Sequence, residues 1–154
     1  MERPESAGDF WARFLRETGR PADTPCLEMF HFDLTERGAE TLLELVLQGK
    51  KRATASAAQS FSAQGLPLPQ PGALSVVLHW DGRPGCVIRT ERVVCLPFRE
   101  VPFALAQLEG EDETLEDWQR SHARFFRAEG AQLGYAFTPD MTVVFEEFEV
   151  VYPI

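Results

Sequence analysis

A chain of 154 residues is long enough for one domain with a real core and too short for two ordinary ones. With 44% hydrophobic residues it is not a disordered chain, and it has no run of the roughly 18 apolar residues that a membrane span needs. Its formal net charge of -9, from 24 acidic against 15 basic residues, works against any function built on broad phosphate attraction, so contact with nucleic acid has to be local.

The opening MERPESAGDFW carries early acids and no apolar segment, which reads as a cytoplasmic protein without a secretory signal. Gly8 to Thr18 then sets Phe10, Phe14 and, on a neighbouring row, Trp11 and Leu15 at helical spacing, predicting an amphipathic helix stopped by Gly19 and Pro21. After a proline-bearing loop, Thr35 to Gln48 places Ala39, Leu42, Leu43 and Val46 on one face before Gly49 ends a second helix.

The stretch GKKRATAS, residues 49–56, follows that helix end. Basic residues there face the negative end of the helix dipole, which accounts for Lys50, Lys51 and Arg52 as a solvated cap. The small residues after them are not so explained. Alternation from Ala53 to Ala57 turns Thr54 and Ser56 to one face and the alanines to the other, giving either close packing or a pocket floor with exposed hydroxyls. An extended chain would separate Lys51 from Thr54 by about 10 Å on opposite faces, so a turn is needed to bring amine and hydroxyl together.

Residues 65–72, GLPLPQPG, form a loop leading to the strand ALSVVLHW. Asp81-Gly82 is a hairpin signal, and residues 85–96 read as the return strand, bent near Thr90. Thr114 and Asp117 mark the start of a helix from Leu115 to Glu129, stopped at Gly130, with Leu115, Trp118, His122 and Phe125 on a shared face. A histidine in that setting is more often a hydrogen-bonded core residue than a ligand.

Glu109, Glu111, Asp112 and Glu113 precede this helix and complement its dipole. Their spacing does not match a calcium loop, and no metal is expected. Met141 to Tyr152 closes the chain as a long strand. Cys26, Cys86 and Cys95, odd in number and without CxxC spacing, fit neither a disulfide framework nor a zinc site and are expected to be reduced and mostly buried. Strands joined by hairpins and interspersed with helices point to an α+β fold with a mostly antiparallel, barrel-like sheet.

LLELVLQGKKRATAS, LPLPQPG, RTERVVCLPFREV, EGEDETLEDWQRSHARFF and DMTVVFEEFEVVYP, in this order, resemble an ASCH-domain protein of the PUA-like superfamily. The resemblance runs from Phe30 to Pro153, and the family pattern GxKxxT falls on Gly49, Lys51 and Thr54. It implies a β-barrel with flanking helices over residues 30–154, residues 1–29 being a helical extension packed on that domain, and a cleft that takes a nucleoside or RNA ligand. A small ASCH relative removes the acetyl group from N4-acetylcytidine with a Lys, a Thr and a Glu. By motif those catalytic roles fall here on Lys51, Thr54 and Glu111, with Lys50, Arg52, Ser56, Glu109 and His122 as substrate-binding candidates.

Two assignments of the chemistry stay open at this level. Lys51 acts as a neutral base for Thr54 while Glu111 serves the leaving amine, or Lys51 stays charged and steadies the oxyanion while Glu111 activates Thr54 or water. This chain also departs from the small relatives in its N-terminal helix and in Ser56, where they carry an arginine. A ribonuclease or a non-catalytic RNA-binding module, drawing on Lys50, Lys51, Arg52, Arg120 and Arg124, is the alternative. No ATP, nicotinamide or flavin fingerprint is present, so no organic cofactor is expected, nor a membrane partner.

Overall fold

The computed structural model describes residues 3–153. The chain runs through α1 (Ala7–Glu17), β1 (Met29–Phe30), α2 (Glu36–Leu47), β2 (Ala53–Ala57), α3 (Ala58–Ala63), β3 (Leu74–Leu78), β4 (Pro84–Pro97), α4 (Phe103–Ala106), α5 (Leu115–Leu133) and β5 (Thr142–Tyr152). The strands form one sheet in the order β1-β3-β4-β5-β2, in which only β1 and β3 are parallel.

Helix boundaries follow local chemistry. Ser6, Thr35 and Thr114 cap α1, α2 and α5 by accepting from the backbone N–H of Asp9, Gly38 and Asp117. Past α2, Gly49 takes the left-handed conformation (φ 76°), which turns the chain back so that Lys50 and Lys51 donate their N–H groups to the Leu45 carbonyl. The expected stop of α5 at Gly130 is corrected: the helix runs to Leu133 and ends at Gly134. Gly130 is small for another reason, since a Cβ there would lie 2.2 Å from the Tyr135 carbonyl oxygen.

The antiparallel sheet is present, but it does not close into the expected barrel. The edge strands β1, two residues long, and β2 each pair on one side only. The sheet is nevertheless curled, because both edges border one cavity together with Ser75 and Glu146 from the interior strands. The curl is helped by an extra residue, Glu91, in β4, where Thr90 pairs with Phe148 and Arg92 with Glu147. That is the bend expected near Thr90.

Both faces of the sheet are covered. Ala53, Ala55, Ala57, Val143 and Phe145 pack with Trp118 and Phe126 of α5 and with Phe98. Elsewhere Val77, Cys86, Ile88 and Phe148 meet Leu43 and Val46 of α2 and Phe32. The helix α1 makes a third cluster, in which Phe10, Phe14 and Leu15 pack on Leu74, Val76, Val87 and Tyr152. Arg13 adds a 2.6 Å hydrogen bond to the Tyr152 hydroxyl. Of the cysteines, Cys86 is buried and Cys26 partly so, whereas Cys95 is exposed, against expectation, because β4 turns it outward.

Phe14 is wholly buried between α1 and the sheet. Phe14→Ala should lower the unfolding free energy by about 3–5 kcal/mol, measured by denaturant titration. A loss within error of zero would mean that α1 does not share the core.

Candidate functional site

Lys51 is the side chain around which the site is built. Although it sits between the exposed Lys50 and Arg52, it is only 2% exposed. The Gly49 turn directs it inward beneath α2, and its ammonium lies 5.2 Å from the centre of the Phe32 ring. Nζ donates to the Ala53 carbonyl (2.8 Å), to Glu109 Oε1 (3.2 Å) and to Glu111 Oε2 (2.6 Å). Three donors meet three acceptors, the full requirement of an ammonium.

The carboxylates come from one tight turn. Gly110 between them adopts the left-handed conformation (φ 69°), and a Cβ there would stand 2.3 Å from the Lys50 carbonyl oxygen. Arg52 N–H donates to the Leu108 carbonyl at 2.8 Å, tying this turn to the start of β2. The EGE triplet is thereby folded so that both acids face the same amine.

Glu109 is wholly buried and fully bonded. Its Oε1 accepts from Lys51 and, at 3.3 Å, from the Ala55 N–H; its Oε2 accepts from Trp118 Nε1 and, at 3.0 Å, from His122 Nε2. Burial opposes its charge, but Lys51, His122 and Trp118 outweigh that and hold the carboxyl well below the usual range. Both oxygens of Glu109, read from sequence as a substrate-binding group, are thus engaged by the protein's own donors. His122 stacks on Trp118 with ring centres 4.2 Å apart, and its Nδ1 donates to the Trp118 carbonyl at 2.9 Å. Both ring nitrogens face acceptors, a pattern the imidazolium satisfies in full. Burial works against that charge, and Glu109 overcomes it, raising the histidine pKa.

Lys51 and Glu111 divide differently. Burial lowers the affinity of Lys51 for its proton, but the two glutamates prevail and its pKa is raised. This arrangement favours a charged Lys51 over a neutral base, because Lys50 and Arg52 are exposed while two carboxylates lie on the amine. Glu111, with its side chain 21% exposed, has its pKa raised by burial, with Lys51 opposing and Glu109 reinforcing. Glu109, Glu111 and His122 also place donor atoms within 4.8 Å of one another, the spacing of a metal site, yet Lys51 already bonds both carboxylates and Glu109 holds the histidine proton.

Lys51, Thr54, Glu109, Glu111 and His122 all border one cavity of about 620 Å³, walled by α2, α5 and the segment Phe32–Thr35. Lys50 and Arg52 are exposed and do not border it, and Ser56 lies instead on an adjoining cavity of about 350 Å³. Thr54 borders both cavities. The second holds residues the sequence reading passed over: Glu28, Glu129 and Glu146, of which Glu146 pairs across the ladder with Thr54 and accepts from Thr90 at 2.5 Å. Its signal was present in the alternation of β5, where Glu146 shares a face with Val144 and Phe148.

Burial, then the charges of Glu146 and Glu129, push Glu28 up to about 7. The unfolded chain loses this proton near 4.5 while the fold keeps it, so the stabilisation present below 4.5 disappears as pH rises to about 7. Unfolding free energy measured from pH 4.5 to 7.5 should fall less steeply in Glu28→Gln than in the wild type. Parallel profiles would show that Glu28 titrates normally.

Residues 28–152 match the family model for the ASCH domain. The crystal structure of protein EF3133 from Enterococcus faecalis V583, of family DUF984, is similar at 34% identity, covering 92% of this chain and 85% of that one with a TM-score of 0.83. An ASCH domain from Lactobacillus crispatus JV V101 is 38% identical over 82% of this chain and 80% of its own, with a TM-score of 0.74. No curated protein matches. The matched segment begins at Glu28 and leaves α1 outside it, although α1 shares the core. The chain belongs to the ASCH-domain family.

Proposed function

We propose that this ASCH protein acts on modified nucleosides, hydrolysing the amide of an N4-acylated cytidine such as N4-acetylcytidine, with Lys51, Thr54 and Glu111 carrying the reaction. The observation that carries this reading is the 2.6 Å Lys51–Glu111 pair on the wall of a cavity that Thr54 also borders. A cavity of about 620 Å³ suits a small ligand. The chain's formal charge of -9 disfavours a long polyanion, which sets the small-molecule reading ahead of a ribonuclease or an RNA-binding module.

The protonation states favour the assignment in which the carboxylate is the base. Glu111 takes the Thr54 hydroxyl proton as the oxygen attacks the acyl carbonyl. Once protonated, Glu111 loosens its hold on Lys51, whose ammonium turns to the oxyanion formed at the same moment. Collapse breaks the C–N bond, with the Glu111 proton passing to the leaving cytosine amine. Water then attacks the acyl-threonine ester, Glu111 accepts its proton and returns it to Thr54, and the carboxylic acid departs. Glu109 and His122 hold Lys51 and the Glu111 turn in place.

Purified protein incubated with N4-acetylcytidine should release cytidine, followed by liquid chromatography. Glu111→Gln should lower kcat by about 10²-fold or more, as loss of a general base does. Lys51→Ala and Thr54→Ala should be inactive, Thr54→Ser should retain turnover, and rapid quenching should show wild-type protein heavier by one acetyl group. No release of cytidine by folded wild type would sink this reading.

A further inference from the structure

The wall of the larger cavity carries cations that the proposed chemistry leaves unused. Lys51 and His122 are paired to the glutamates, but Arg37, in the first turn of α2, and Arg124, in the middle of α5, also border the cavity and reach no carboxylate within ion-pair distance among the described residues. Carboxylates are plentiful in this chain: Arg13, Arg83, Arg89, Arg92, Arg99 and Arg120 all hold one. Arg20 and Arg127 lie over the rings of Phe14 and Phe137, and Arg3, Arg16 and Arg52 do not border the cavity.

The acids on the same wall are otherwise engaged. Glu109 and Glu111 hold Lys51, and Asp33 lies against Gly38 at the start of α2 and accepts from the Thr35 hydroxyl at 3.3 Å. Arg37 on α2 and Arg124 on α5, both exposed, therefore border a small-ligand cavity on which Asp33 is the one acid not paired to a cation among the described residues. A guanidinium offers a planar fork of donors that fits phosphate oxygens in pairs.

We infer that Arg37 and Arg124 form an anion subsite that takes the phosphate of a cytidine nucleotide whose base enters toward Lys51. The choice of cytidine rests on the function proposed above; the phosphate subsite rests on the arginines. The natural ligand is then a nucleotide or the end of an RNA strand in preference to a free nucleoside. The phosphate, held by charge at the exposed arginines, leaves the neutral base to the buried Lys51 and to Glu111.

Equilibrium binding of cytidine, cytidine monophosphate and a cytidylyl dinucleotide tests this, with wild type, Arg37→Gln/Arg124→Gln and Arg99→Gln as a control away from the cavity. At low salt, wild type should bind the monophosphate at least about tenfold tighter than cytidine, the scale of a charge-assisted hydrogen bond. The preference should shrink as salt is added and fall to near one in the double variant, while Arg99→Gln keeps it. Stronger binding of the dinucleotide would assign a strand phosphate, and stronger binding of the monophosphate a terminal one; each upholds the subsite.

Equal affinity of wild type for cytidine and its monophosphate, a preference that survives in the double variant, or failure to bind any of the three overturns the subsite. The two proposals fail separately. Arginine-dependent nucleotide binding without cytidine release from N4-acetylcytidine would remove the reaction and keep the subsite. Release from N4-acetylcytidine and its monophosphate at equal kcat/KM, unaltered by the double variant, would do the reverse.

Discussion

A buried ammonium is the constraint from which the rest of the site follows. Taking Lys51 out of water costs several kcal/mol unless every proton finds an acceptor and the charge a counter-charge. The structure meets that demand with one backbone carbonyl and two carboxylates. Each acceptor fixes something else: the Ala53 carbonyl sets the entry into β2, Glu109 draws in Trp118 and His122 of α5, and the position of Glu111 requires the left-handed turn at Gly110. The core on the Ala53–Ala57 side and the polar cluster are thus parts of one arrangement, because Trp118 packs with the alanines through its ring and donates to Glu109 through its nitrogen.

Two carboxylates on one amine do not behave alike, and the difference comes from their surroundings. Glu109 is buried, which opposes its charge, but donors on both oxygens and the Lys51 and His122 charges keep it ionised. Glu111 has one donor partner, and burial, opposed by Lys51 and reinforced by the Glu109 charge, raises its proton affinity. Environments that push paired acids apart are those that separate a fixed structural charge from a group able to exchange a proton. In this protein Glu109 is buried, whereas Glu111, on the same cavity, keeps part of its side chain exposed.

How much of this was legible depended on the range of the interaction. Local signals carried far: the cap at Thr114, the Gly49 turn, the alternation that buries Ala53, Ala55 and Ala57, and the bend near Thr90 all depend on a few neighbouring residues. Lys51, Thr54 and Glu111 came from the family resemblance, and they do meet on one cavity. What failed was long-range. Whether a curled sheet closes depends on how long β1 is and what its outer edge meets, and no periodicity records that. The charge of Lys51 stayed open because its sequence neighbours are cations, whereas its neighbours in space are Glu109 and Glu111. Gly130 looked like a helix stop when it is a close contact with Tyr135.

The same distinction between chain and space resolves the apparent conflict between the acidic composition and a ligand bearing phosphate. Net charge governs what is drawn in from a distance, and at physiological ionic strength that influence fades over about 8 Å. Within the cavity the relevant charges are those a ligand can touch, and pairing has already cancelled most of them. Lys51 and His122 are balanced by Glu109 and Glu111. Arg37 and Arg124 stand outside that balance, so the excess acid elsewhere does not silence them. On the proposed subsite, a net charge of -9 works against contact along a strand, while an arginine pair bordering a small cavity suits a single nucleotide or the end of a strand.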